Sequence, residues 1–243
     1  QMLGWVRYGG GQALYDELVG SILKLNIVGF LYGPMGTQPL GWFKKPITGP
    51  NDLKNIKYRT VGLSADMFKA LGTNVTILPG GEIVPALEKG LIDGAEFNNP
   101  SSDRLLGFQD VTKNLMVQSY HQPNESFEIL FNKAKFNGLP KELQALVRNA
   151  VDAASADMSW KAMDRYSKDM EAIKAAKVTV TKTPESVLKA QLAAWDGVVA
   201  TQSKDAFFKK VVDSQKAWAK RVVGWDIDYT VNPLLAYTHI FKA

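Results

Sequence analysis

The strongest constraint on this chain is the rhythm of residues 57–97, where short extended stretches alternate with short helical ones. "KYRTV" (57–61) and "NVTIL" (74–78) read as strands, "SADMFKAL" opened by Ser64 and "GEIVPALEKG" (81–90) as helices, and "LIDGAEF" (91–97) as another strand. Strand and helix patterns exchanged at such short intervals predict an α/β sheet rather than a bundle or a sandwich.

The flanking regions extend this reading. Leu14, Leu18, Ile22 and Leu25 recur at helical steps after the Gly9–Gly11 triplet, which lacks both GxGxxG spacing and a preceding strand and so reads as a helix start. "NIVGFLY" (26–32), closed by Gly33 and Pro34, and "SFEILFN" (126–132) read as strands. Residues 33–50 read as a glycine- and proline-rich loop, followed by a short helical piece at 51–55. From Pro140, Leu143, Leu146, Val147, Ala150, Val151, Ala154 and Met158 recur at three- and four-residue steps, and helical composition lasts to about Ala176. At 1.5 Å per residue such a helix would run roughly 50 Å, longer than one small domain requires, and it reads as a brace across two lobes. An extended piece at 177–184 leads to helices at 185–202 and 204–223. Their Trp195, Phe207, Phe208 and Trp218 fall on helical stripes and read as core, not as a base-stacking platform.

Composition removes several classes of function. The 243 residues, 46% apolar, suffice for one large core or two smaller ones sharing a hinge. A net charge of +5 comes from scattered cations, so nucleic acid is not an expected partner. With no cysteine, disulfides, thiol catalysis and thiolate metal sites are excluded. No apolar run approaches the ~20 residues of a membrane helix. The opening "QMLGWVRYGGG" has neither a basic leader nor a cleavage pattern, which predicts that any secretory signal was removed or never included.

Enzyme chemistry finds little support. His121 and His239 are the only histidines, and neither GxSxG nor HExxH occurs. His121, in "SYHQPNES", reads as a surface or structurally satisfied histidine, with a cleft-lining role as the alternative; His239 has no expected role. Arg59, in a short strand flanked by loops, could offer its donor fork to a carboxylate or stand exposed on the strand. Gln38, in "GPMGTQPLGWF", carries a hard amide oxygen suited to a cation or a hydroxyl, but loop glutamines are common. Glu96 leaves an apolar strand, so its charge needs a cation or guanidinium nearby unless it simply faces water.

Taken together, "GWFKKPITGPNDLKNIKYRTVGLSADMFKALG" and "ILPGGEIVPALEKGLIDGAEF" resemble the signature region of the periplasmic solute receptors of TRAP transporters, the DctP type. The "TQxxGWF", "GAEx" and "HxP" elements are most similar to the branch that receives 2-oxo or 2-hydroxy monocarboxylates, such as pyruvate or lactate, with a bound metal cation. Phe97 stands where that branch often has tryptophan, and "NNPSSDR" follows where the branch usually differs.

The resemblance implies an α/β, two-lobe periplasmic-binding-protein-like fold with a long lobe-spanning helix, and the absence of the N-terminal part of the first lobe. By residue number it implies a remainder of lobe I at 1–30, lobe II at 31–95, lobe I and hinge crossings at 96–130, the brace helix and lobe II helices at 131–223, and a tail at 224–243. It implies an arginine, Arg59, meeting the ligand carboxylate, and a cation, calcium or sodium, held by Gln38, Glu96 and the carbonyl of Phe97. Asn98, Tyr58 and Trp42 are further candidate ligand contacts, with Trp42 and Phe43 also readable as core. Implied partners are a small organic acid and the TRAP membrane subunits, in the periplasm; the aromatic tail is a candidate homodimer contact. Two other readings stay open: an enzyme using Glu96 as general base on a small carboxylic acid, and a structural or dimerising protein.

Overall fold

The structure, a computed structural model, describes residues 2–242 and divides into two compact units. One comprises residues 27–202; the other joins the stretch up to residue 26 with the stretch from residue 203.

In the 27–202 unit the strands are β1 (Ile27–Met35), β2 (Gly41–Phe43), β3 (Lys57–Arg59), β4 (Asn74–Thr76), β5 (Gly94–Ala95), β6 (Asn114–Val117), β7 (Glu125–Asn132) and β8 (Thr179–Lys182). Six of them form a mixed sheet ordered β4-β3-β5-β2-β6-β8, while β1 and β7 pair antiparallel as a separate ribbon. Side chains alternate across the six-stranded sheet. Trp42, Ala95 and Leu115 enter a core with Ile83, Leu87, Phe108 and Ile173. Their neighbours Phe43, Tyr58 and Met116 enter another with Phe68, Val187 and Val198. Helices therefore cover both faces, the arrangement expected of an α/β sheet.

The long helix, Lys141–Ala175, has the expected extent. Its first half packs on the ribbon through Val151, beside Phe30 and Phe136. At Gly33, with φ at +58°, the ribbon backbone comes so close that an added Cβ would sit 2.9 Å from Met158 Cε, and the Gly33 N–H donates to Ser155 Oγ at 3.0 Å. Farther along, Asp169 accepts from Arg104 Nη1 at 2.9 Å and from the Ser101 hydroxyl, and Ile173 enters the sheet core.

Several elements differ from expectation. The helix expected to open at Ser64 spans Leu63–Ala70 with Gly62 as its cap, because the buried Ser64 hydroxyl is committed to the His121 carbonyl at 2.9 Å. The 33–50 loop contains the end of β1 and all of β2. The 91–97 strand shortens to Gly94–Ala95, and helices Pro100–Leu106 and Phe108–Val111 follow it.

The second unit is helical. Met2–Tyr8 and Gly11–Glu17, the latter running into a π-helical turn at Leu18–Ile22, accompany Ala206–Tyr229 and Pro233–Phe241. Trp5 Nε1 donates to Ser214 Oγ at 3.1 Å, Gly4 and Gly9 lie against the Trp218 ring, and Lys210 pairs with Glu17 at 2.5 Å. Trp218, Phe207 and Phe208 are half-buried here.

Candidate functional site

Parallel pairing of β3 with β5 sets Arg59 beside Ala95 and so brings its side chain to the residue that follows, Glu96. Arg59 is only 5% exposed and Glu96 only 2%, so neither the exposed-arginine nor the water-facing glutamate reading holds. Arg59 Nη1 donates to Glu96 Oε1 at 3.0 Å and to the Glu96 carbonyl at 2.9 Å, while Nε donates to the Leu78 carbonyl at 3.0 Å. The guanidinium is thereby fixed in plane, and Nη2 carries no hydrogen bond among the described residues. Burial pushes Glu96 up to about 7 against the pull of Arg59, and the carboxylates of Asp103 and Glu125 add to the rise.

The backbone after Glu96 is anchored from the next helix. Asn99 caps Pro100–Leu106 by accepting from the N–H groups of Ser101 and Ser102 at 3.1 and 3.0 Å. Buried Asp103 accepts from Asn98 N at 3.1 Å and from Trp42 Nε1 at 2.8 Å. Burial raises its carboxyl to about 7 in spite of those bonds. Phe97 is half-buried with its ring on Gly80, and its carbonyl accepts no hydrogen bond among the described residues.

Gln38 reaches the same place from the segment between β1 and β2. Its Nε2 donates to Glu125 Oε2 at 3.0 Å, and Asn98 Nδ2 donates to that same oxygen at 2.7 Å. One carboxylate thus ties Gln38 to the strand end that carries Glu96. Gln38 Oε1 lies 3.2 Å from Nε2 of His121, which is buried and whose pKa burial lowers to about 3, so the ring is neutral.

Gln38 and Asn98 therefore share one carboxylate, and the backbone from Glu96 to Asn98 joins that network to the Arg59–Glu96 pair, a polar cluster of four sequence candidates. Trp42 and Tyr58 are core side chains instead, although Trp42 Nε1 shares Asp103 with the Asn98 backbone N–H. Trp42 is fully buried, stacked on Phe108, and Tyr58 is fully buried between Phe43 and Phe68 with its hydroxyl on the Leu40 carbonyl; both are core because period-2 alternation turns them into the two apolar layers. Sequence reasoning missed Glu125 and Asp103. "NNP" before "SSDRLL" carries a helix-cap signal that points to Asn99, whereas Glu125 has no local signature. Beside the cluster a cavity of about 460 Å³ is lined by Met35, Phe97, Asn98, Phe127, Met158 and Tyr166.

Residues 5–208 match the family described as DctP, bacterial extracellular solute-binding protein, family 7. A monocarboxylate 2-oxoacid-binding periplasmic protein of Nostoc sp. is 33% identical over 231 residues, which is 93% of this chain and 62% of that protein. The chain thus spans about three fifths of that relative's length. A TRAP transporter solute-binding protein from Bordetella bronchiseptica, a dimer described with calcium and picolinate, superposes with a TM-score of 0.89 at 29% identity, covering 99% of this chain and 70% of that one. One from Pseudoalteromonas atlantica, with bound sodium and pyruvate, gives 0.80 at 27% identity, covering 95% and 72%. With its mixed sheet, its long helix and a family match over most of its length, the chain belongs to the DctP family of bacterial extracellular solute-binding proteins.

Proposed function

We infer that this chain is the receptor for a small 2-oxo or 2-hydroxy monocarboxylate, captured together with a calcium or sodium ion and delivered in the periplasm to the membrane subunits of a TRAP transporter. The observation that carries this is the buried Arg59–Glu96 pair, whose guanidinium keeps Nη2 free for an incoming carboxylate. The family binds solutes and is not one of enzymes, so Glu96 is not read as a general base.

The donor set fits a hard cation. Gln38 Oε1 has a second lone pair, Glu96 keeps a carboxylate oxygen beyond the one that Arg59 holds, and the Phe97 carbonyl accepts no hydrogen bond among the described residues. Calcium takes six to eight oxygens, and among the described residues no group of three or more His, Cys, Asp or Glu could hold a metal. Three protein oxygens leave the shell incomplete, which favours a cation that arrives with the acid's carboxylate and its neighbouring oxygen. Exclusion of water on capture strengthens each of these ionic contacts. Asn98, held by Glu125, lines the neighbouring cavity together with Phe97.

The lobe boundaries named above and a second copy of this chain meeting the aromatic tail belong to the same proposal. The tail reading is supported by exposed Trp225, Tyr229, Leu235, Tyr237, Ile240 and Phe241.

Calorimetric titration of pyruvate, lactate and longer 2-oxo acids, each with calcium, with sodium and with neither, tests the reading. Saturable binding that needs a cation, produces no new compound and disappears in Arg59→Met is expected. Absence of heat from every acid with either ion would sink it.

A further inference from the structure

Gln38 lies in a chain of hydrogen bonds whose two ends fix the direction of every proton between them. At one end the Tyr120 backbone N–H, which can only donate, meets Gln191 Oε1 at 2.9 Å. Gln191 must therefore present its Nε2 amide to Ser119 Oγ, 2.8 Å away. Ser119 Oγ accepts that hydrogen and also the His121 backbone N–H at 3.3 Å, which fills both lone pairs, so its own hydrogen goes to His121 Nδ1 at 2.7 Å in preference to Gln191 Oε1 at 3.2 Å. At the other end the Glu125 carboxylate accepts from Gln38 Nε2, so Gln38 must turn Oε1 toward His121. A neutral imidazole with an acceptor at Nδ1 carries its hydrogen on Nε2, which is what Gln38 Oε1 requires. The two ends agree, and the chain closes without conflict.

We propose that His121 is a positioning residue for the ligand site: its Nε2–H, set by Ser119 and Gln191 on one side and matched by Glu125 on the other, locks the Gln38 amide with Oε1 on the imidazole and Nε2 on Glu125. A flipped amide would turn its NH2 group toward the cation, and the bond from His121, added to the one that Glu125 accepts, disfavours that state. The supports lie away from the site. Ser119 and Gln191 are buried, and Gln191 stands on the Glu185–Gln202 helix, which also holds Tyr120 through Trp195 Nε1 on its carbonyl at 2.7 Å. The His121 ring rests against Phe68, with centroids 5.8 Å apart, so ring tilt is restrained as well. Partners of this kind, one bond removed from a metal ligand, govern affinity through orientation.

The proposal rests on the receptor reading, but one of its tests does not. The chain has two histidines, so 15N chemical shifts of uniformly labelled, ligand-free protein resolve both imidazoles, with His239→Asn identifying the second. His121 protonated on Nε2 is expected; protonation on Nδ1 overturns the relay without any binding measurement. In calorimetry with calcium and pyruvate, His121→Phe keeps the ring and removes the donor, and should weaken binding about 10- to 100-fold. His121→Gln restores an N–H donor and should recover most of that loss. Unchanged affinity in His121→Phe, or a lower melting temperature with affinity intact, would make His121 merely structural. If the parent chain binds neither pyruvate nor calcium the receptor reading fails, and the imidazole shifts alone decide the relay.

Discussion

At the scale of single residues, two buried carboxyls, Glu96 and Asp103, are held near 7, far above the range of exposed acids. The folded protein therefore keeps protons that the unfolded chain releases between about pH 4 and 7. Stability is then greatest at the acid end of that window and falls as pH rises through 7, by up to about 1.4 kcal/mol per pH unit for each group. Asp52 and Asp169, held below their ordinary values by hydrogen bonds from Thr48 and Ser101, act in the opposite sense and only at more acidic pH. Buried neutral His121, lowered to about 3, acts the other way below about pH 6.5 and offsets one carboxyl there. Thermal melts of ligand-free protein should therefore show a midpoint that declines most steeply near pH 6.5, and Asp103→Asn should remove at least half of the decline; a midpoint that rises between pH 5 and 7 would mean that neither carboxyl is raised. Of the cluster itself, Gln38, Arg59 and Glu96 were legible only as a combination, because each alone has an ordinary surface explanation. Glu125 was not legible at all: its role comes from bonds to residues 87 and 27 positions away, and no local pattern encodes such a meeting.

At the scale of elements, legibility followed length and periodicity. β1, β7 and the long helix repeat their pattern often enough to be recognised, whereas β2 is three residues, all buried, without alternation and inside a stretch rich in Gly and Pro. What makes β2 possible is Gly41. Its φ is +141°, and an added Cβ would lie 2.6 Å from the Ala95 carbonyl oxygen on β5. Gly41→Ala should therefore cost more than about 2 kcal/mol in urea unfolding and disturb the strand end that carries Glu96. Gly49→Ala, where nothing lies within 4 Å and the backbone is extended, should stay within about 0.5 kcal/mol. Equal losses at the two positions would show that close approach of β2 to β5 is not what selects glycine.

At the scale of the whole chain, the exposed apolar side chains between Trp225 and Phe241 set a solubility problem that a second copy would solve. Light scattering coupled to gel filtration should give twice the chain mass for the full chain and a single chain mass after removal of residues 225–243. A full chain that stays monomeric at millimolar concentration would reject that arrangement. Within the 27–202 unit, the Lys141–Ala175 helix touches the ribbon with one half and the six-stranded sheet with the other. A rod clamped at two stations resists sliding but tolerates pivoting, so relative motion of ribbon and sheet is reduced to a swing about the rod. Amide deuteration should accordingly find Val151 to Ile173 opening as one slow block, with faster exchange confined to the residues outside that span.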